Sequence, residues 1–282
     1  MIYKELEKIV QDQEERGNSK LHIRNVLKEY LQVYVLNYIY TSPKYSEELI
    51  FTGGTCLRHF YDLERLSEDL DFNYDNNIKA QKLTDNLLDY FKKKYKVSEV
   101  YGSVKQKGRQ ILLKFSLLKE LDLVSGGESE VLYLKLDLQK NPSDRYDTQI
   151  SSKSLMGFNF VARHYDLSTL MAGKIAAILR RERFVGKEDG STVKGRDYYD
   201  LLWYLKKKVK PNMGRLSDVL GKEITKKELK RALDKKLEML VTKYRNDFES
   251  DLLPLIENTE FIPVYVQNYE EEYRREVDYL LE

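Results

Sequence analysis

A single cysteine, Cys56, in a chain of 282 residues excludes an intramolecular disulfide framework. Three histidines argue against a structural zinc site. No apolar run approaches the roughly 18 residues of a membrane span. The first twenty residues are crowded with charge where a secretory leader would carry an apolar core, so the chain reads as cytoplasmic and without a membrane partner. A net charge of +2 sets up no global field that would demand a nucleic acid or a lipid surface. There is no internal repeat, and low complexity is confined to short lysine runs. What is present is 33% charged and 41% hydrophobic residues, the balance of a folded chain of one large or two modest domains. Charge is uneven locally. Residues 206–243 hold thirteen Lys or Arg against five Asp or Glu, and residues 269–282 hold six acids against two bases.

Apolar positions Leu21, Ile23, Val26, Leu27, Tyr30, Leu31 and Val35 follow helical spacing, which predicts a helix over 20–40. The short β-prone run Leu49–Thr52 ends at Gly53-Gly54 and reads as a buried strand, with helical spacing from Cys56 to Leu63. A helix is expected from Leu83 to the basic run at 92–96, and strands at Ile111–Phe115 and Val131–Leu138. In the last of these Leu132, Leu134, Leu136 and Leu138 take one face, and Tyr133, Lys135, Asp137 and Gln139 the other. Gly126-Gly127 marks the turn before it. Beyond about residue 165 strand signals fade. Asp166 is an N-cap for a helix over 167–181, a polar loop covers 185–195, and a helix is expected over 197–207. Thr225 with Glu228 is a capping box opening a helix striped by Leu229, Leu233, Leu237 and Leu240. The first half is thus mixed α and β around a small sheet, and the second is a helical bundle: an α+β chain.

The segment Asp69-Leu70-Asp71-Phe72 alternates, so a strand there sends both carboxylates to one face. Two such carboxylates repel unless a cation joins them, and hard oxygen ligands suit Mg²⁺. The glycine turn upstream lets a phosphate approach backbone N–H groups. Alone, the pair reads more readily as a charged strand edge or a helix N-terminus. Asp137, on the polar face of a leucine-backed strand, is either a third carboxylate around a two-metal site or a solvated strand residue. Lys174 lies in an apolar helix, where an ammonium needs an anion. Arg181 projects from nearly the same face, and triphosphate oxygens or a structural carboxylate would satisfy them. Arg65 and Ser67 either bind phosphate or brace the turn. Asp197 and Asp200 sit near a helix start, where acids also serve as caps. The basic stretch 206–243 is either a solvated helix surface or an RNA-phosphate patch.

Taken in order, Gly53-Gly54-Thr55, Arg65-x-Ser67-x-Asp69-x-Asp71-Phe72, Lys135-Leu136-Asp137, Lys174-x-x-Ala177 and Arg196-Asp197-x-x-Asp200 resemble the AbiEii/AbiGii toxin family of abortive-infection and toxin–antitoxin systems. The resemblance spans residues 50–205. It implies a DNA polymerase β-type nucleotidyltransferase domain with N-terminal helices over residues 1–160, followed by a helical C-terminal domain over 161–282. It also implies Mg²⁺ and NTP use, an antitoxin encoded alongside, and in some relatives nucleotide addition to the tRNA 3′ end or GTP binding. By the same match Gly53, Gly54 and Thr55 form the triphosphate-side turn. Asp69 and Asp71 take metal, Asp137 is the third carboxylate and general base, Lys174 holds NTP phosphate, and Asp197 completes the site. The superfamily usually begins this motif with Gly-Ser, and here Gly-Gly-Thr keeps the permissive backbone and a hydroxyl.

The expected activity is Mg²⁺-dependent transfer of a nucleoside monophosphate to an acceptor hydroxyl, on tRNA, with growth inhibition as the result. Asp69→Asn, Asp71→Asn or Lys174→Ala should then abolish toxicity with the fold intact. The rival readings are modification of a protein (AMPylation-like) or a small molecule, and a non-catalytic GTP-binding toxin that sequesters a partner.

Overall fold

The computed structural model describes residues 2–124, 129–181 and 193–282. The expected turn at Gly126-Gly127 and residues 185–192 of the expected polar loop lie outside these. By packing, the chain divides into two compact units, Met1–Asn141 with Gln149–His164, and Pro142–Thr148 with Tyr165–Glu282.

The first unit opens with α1 (Ile2–Glu15) and α2 (Lys20–Thr41), the latter capped by Ser19, which accepts from the His22 N–H. The apolar positions that forecast α2 are mostly buried, with Leu21 the exposed exception. A short helix α3 (Pro43–Glu48) leads into β1 (Ile50–Thr52), α4 (Gly53–Phe60) and β2 (Asp69–Tyr74). Then come α5 (Ala80–Asp89), which runs into a π-helical turn at Tyr90–Lys94, and five strands: β3 (Val100–Lys105), β4 (Gln110–Ser116), β5 (Val131–Lys140), β6 (Thr148–Leu155) and β7 (Phe158–Tyr165). One mixed sheet takes them in the order β3-β4-β5-β2-β1-β7-β6. In β5 the four leucines are buried and the intervening residues are not, as the alternation requires.

The sheet is wider than the sequence suggests, because β3 and β6 carry no clear apolar signal, although β7 alternates and buries Phe160 and Ala162. β3 and β6 are the edge strands of the sheet, and the side chains of β6 stay largely polar. β6 and β7 are joined through Met156 and Gly157, both at positive φ, which suits a tight hairpin turn.

The second unit is helical: α6 (Leu167–Arg180), α7 (Gly195–Lys206), α8 (Met213–Leu220), α9 (Lys226–Lys243), α10 (Arg245–Leu252) and α11 (Phe261–Glu276). Asp166 caps α6 by accepting from the Thr169 N–H, and Thr225 and Glu228 form the full capping box of α9. All four stripe leucines of α9 are buried. The helix α7 starts two residues earlier than expected, at Gly195. A Cβ there would lie 2.5 Å from the Phe248 carbonyl oxygen, so only glycine lets α10 approach this closely. Tyr269 ties the core together by donating to the Tyr198 carbonyl at 2.8 Å.

Candidate active site

Strand register in the first unit builds a polar row. Strands β2 and β5 pair in parallel, with Asp69 opposite Lys135 and Asp71 opposite Asp137. On the flanks, Thr52 of β1 pairs with Asp71, and Gln110 of β4 pairs with Asp137. Directly paired residues point to the same side of a sheet. Leu70, Phe72, Leu136 and Leu138 are buried on the opposite face, so the row Gln110, Asp137, Asp71, Thr52 stands on the polar one. Gln110 Nε2 donates to Asp137 Oδ1 at 2.8 Å and fixes that carboxylate's orientation.

Against this row stands the start of α4. Gly53 has φ +77, and a Cβ on it would lie 2.1 Å from Asp71 Oδ2. A Cβ on Gly54 would lie 2.8 Å from Arg65 Nη2 and 2.9 Å from Ser67 Oγ. The two glycines thus allow a carboxylate, a guanidinium and a hydroxyl to close on a helix N-terminus, whose free N–H groups favour negative charge. The loop carrying Arg65 and Ser67 is anchored to α2 by Gln32, which donates to the Ser67 carbonyl at 2.9 Å, and by Lys28 with Glu68 at 3.1 Å.

Two of the residues around the triphosphate-side turn have buried side chains. Thr55 is fully buried and its hydroxyl donates to the Asp69 carbonyl. Arg65 is buried and Nη1 donates to the Leu66 carbonyl at 2.8 Å. Both side chains brace the turn, because neither can face solvent without unpacking it. What Gly53, Gly54 and Thr55 can offer a phosphate is backbone N–H; Ser67 is half-buried beside Gly54. Cys56 is buried too, and burial followed by the field of Asp71 pushes its thiol pKa well up, so it stays protonated.

Lys135 is the residue that sequence reasoning left out of this site. Its Nζ lies 2.7 Å from Asp69 Oδ2 and 3.4 Å from Asp137 Oδ2. Burial opposes the ammonium, but the hydrogen bond to Asp69 and the charges of Asp69, Asp137 and Asp71 outweigh it and raise its pKa. The period-2 alternation of β5 already put Lys135 on the face of Asp137, and that signal could have found it. Gln110 had no such signal, since only the β4–β5 register brings it in. The carboxylates are hard oxygen donors, so the set fits Mg²⁺ in kind. Among the described residues, however, no three His, Cys, Asp or Glu side chains are gathered closely enough to hold an ion as they stand.

In the second unit, Lys174, Arg181 and Asp197 come together with Asp200. Lys174 Nζ lies 2.9 Å from Asp197 Oδ1 and 2.7 Å from Asp200 Oδ2, and Arg181 Nη1 contacts Asp197 Oδ2. Asp200 is wholly buried and Asp197 nearly so. The ammonium in the apolar helix is therefore satisfied by carboxylates of α7. Burial, then the nearby Arg196, holds the Arg181 pKa below its ordinary value.

A cavity of about 550 Å³ adjoins this group within the second unit, bordered by Arg180, Arg181, Lys194, Lys222, Lys235 and Lys236, with Asp197 the acid in its lining and Ile224 and Met239 on its apolar side. Three of the thirteen bases of 206–243 pair with the acidic tail: Lys206–Glu272 at 2.8 Å, Lys208–Glu276, and Lys230–Asp278 at 3.5 Å.

A family model described as the nucleotidyl transferase AbiEii toxin of type IV toxin–antitoxin systems matches residues 36–277. No curated protein matches the chain in sequence. Among solved structures, the nucleotidyltransferase toxin MenT4 of Mycobacterium tuberculosis H37Rv is similar with a TM-score of 0.53 at 15% identity, over 99% of this chain and 89% of that one. An antigenic nucleotidyltransferase-like protein of Paracoccidioides brasiliensis gives 0.43 at 21% identity over 81% and 94%, and JHP933 of Helicobacter pylori gives 0.42 at 17% over 89% and 94%.

Proposed function

The chain belongs to the AbiEii family of nucleotidyl transferase toxins of type IV toxin–antitoxin systems, and on that premise we propose that it transfers a nucleoside monophosphate from an NTP to a hydroxyl at a tRNA 3′ end, arresting growth. Membership implies a cognate antitoxin. The observation that carries the chemical reading is the cross-strand pair Asp71–Asp137 standing against the Gly53 turn. The acceptor oxygen attacks the α-phosphorus, the bond from that phosphorus to its bridging oxygen breaks, and pyrophosphate leaves. Asp137, aimed by Gln110, takes the hydroxyl proton. Backbone N–H groups at the start of α4 take phosphate oxygens. Mg²⁺ held by Asp69, Asp71 and Asp137 would supply Lewis-acid stabilisation of charge on the phosphate and the leaving group.

In the second unit, Lys174 and Arg181 are the cations of this reading that bind phosphate, and Asp197 and Asp200 hold them in place. The cationic border of the cavity beside them supports an anionic substrate. The test is incubation of the purified protein with each α-³²P-labelled NTP, Mg²⁺, total RNA and lysate protein. Label in the tRNA fraction, absent with Asp71→Asn, is the expected result. Label in protein would replace the acceptor. Nucleotide binding with no label anywhere would replace catalysis by sequestration.

A further inference from the structure

The carboxylate group already contains a cation of its own. The parallel register of β2 and β5 sets Lys135 opposite Asp69 and Asp137 opposite Asp71, so the half-buried polar face carries three acids and one ammonium within neighbouring positions. Nζ contacts Asp69 Oδ2 at 2.7 Å and Asp137 Oδ2 at 3.4 Å, bridging both strands. Three carboxylates at cross-strand spacing repel one another, and in this arrangement the ammonium offsets that repulsion.

Resting on the reading of Asp69, Asp71 and Asp137 as a ligand set, we propose that Lys135 is the internal counter-ion of that set, holding Asp69 and Asp137 until a divalent cation displaces it.

Ammonium and divalent ion need the same oxygens, and their like charges oppose a shared position. Because Lys135 reaches the acids on a flexible four-carbon stem, it can withdraw with no shift of β5. Lys135 is on this view a positioning residue that sets how tightly the site takes metal.

The experiment compares wild type, K135M, K135R and D71N, with Mn²⁺ as the probe followed by electron paramagnetic resonance, and thermal unfolding in EDTA and in saturating Mn²⁺. K135M should unfold at lower temperature in EDTA and gain more from Mn²⁺ than wild type. Its Mn²⁺ affinity should rise on the order of tenfold or more, as expected from removing one adjacent charge. K135R, which keeps the charge, should stay near wild type. Equal or weaker Mn²⁺ binding by K135M, with wild type binding normally and D71N not, overturns the counter-ion and leaves the ligand set standing. Absence of Mn²⁺ binding in both wild type and K135M overturns the ligand set and the counter-ion together. Should K135M be unfolded in EDTA, refolding on Mn²⁺ addition supports the proposal and failure to refold counts against it.

Discussion

The carboxylate of Asp71 fills the space that a side chain on Gly53 would need: a Cβ at residue 53 would sit 2.1 Å from Asp71 Oδ2. Strand β2 and the first turn of α4 are therefore locked together at the site, and the glycine is demanded twice, by contact and by its φ of +77.

Gly17 shares that φ of +77, but a Cβ on it would meet nothing within 4 Å, which makes it an internal control. Gly17→Ala should cost about 1–2 kcal/mol, the left-handed penalty for an L-residue. Gly53→Ala should cost more and abolish nucleotidyl transfer, because Asp71 must also move. Urea unfolding and a transfer assay on both variants check this; equal stability losses would mean Asp71 yields freely.

Asp71→Asn and Asp137→Asn should each lower nucleotidyl transfer on the order of a thousandfold or more, several kcal/mol of transition-state stabilisation. Circular dichroism and melting temperature should stay near wild type, since both side chains are half-exposed. Residual activity above a tenth of wild type in either would remove that acid from the chemistry.

Lys174→Ala carries a structural cost, because the structural carboxylate that the sequence offered as one partner is present twice over. It strands Asp197 and Asp200 in a buried site without their ammonium, which typically costs about 3–5 kcal/mol. Loss of toxicity in this variant is thus ambiguous by itself. Lys174→Met combined with Asp200→Leu should recover much of the stability and still lack activity; denaturant midpoints and the transfer assay separate the two effects.

His59 in α4 has its pKa pushed down to about 4, first by burial, against Glu29, and with Arg58 and Lys153 adding to the decrease. The native ring stays neutral between pH 4 and 6.5 while the unfolded chain binds a proton there, so this residue's contribution to stability falls as pH drops through that window. The full effect is about 3 kcal/mol. His59→Gln should flatten the fall in melting temperature between pH 6.5 and 4; an unchanged slope would show that the ring titrates normally.

The double substitution Lys222→Glu and Lys235→Glu reverses charge on the border of the second unit's cavity. RNA binding should weaken about tenfold or more, and its log–log salt slope should fall by about two. Filter binding across a salt series measures this, with Asp71→Asn as a variant that keeps RNA binding. Unchanged affinity would leave the cavity without a part in acceptor recognition.

Much of the frame was legible in the residues because it rests on neighbours in sequence. The alternation of β5, the capping box at Thr225 and Glu228, the Asp166 cap and the glycine turn all come from short-range periodicity and backbone preference. β3 and β6 escaped because edge position and pairing with a neighbour make them strands, whereas the alternation of β7, which buries Phe160, Ala162 and His164, was there to be read. Within the site, the motif left open whether Arg65 binds phosphate or braces the turn, and packing around the turn buries the side chains of Thr55 and Arg65. No local pattern reports that.

The sequence by itself determined which faces carry acids and which carry leucines, since a strand's period of two and a helix's of 3.6 follow from backbone geometry. It also carried the motifs that place the chain in its family. The tertiary structure decided which charge meets which. Lys135 bridges Asp69 and Asp137, and Lys174 lies between Asp197 and Asp200, because strand register and helix packing bring together residues far apart in the chain. Electrostatic partnership depends on distance in space, and only the folded chain sets it.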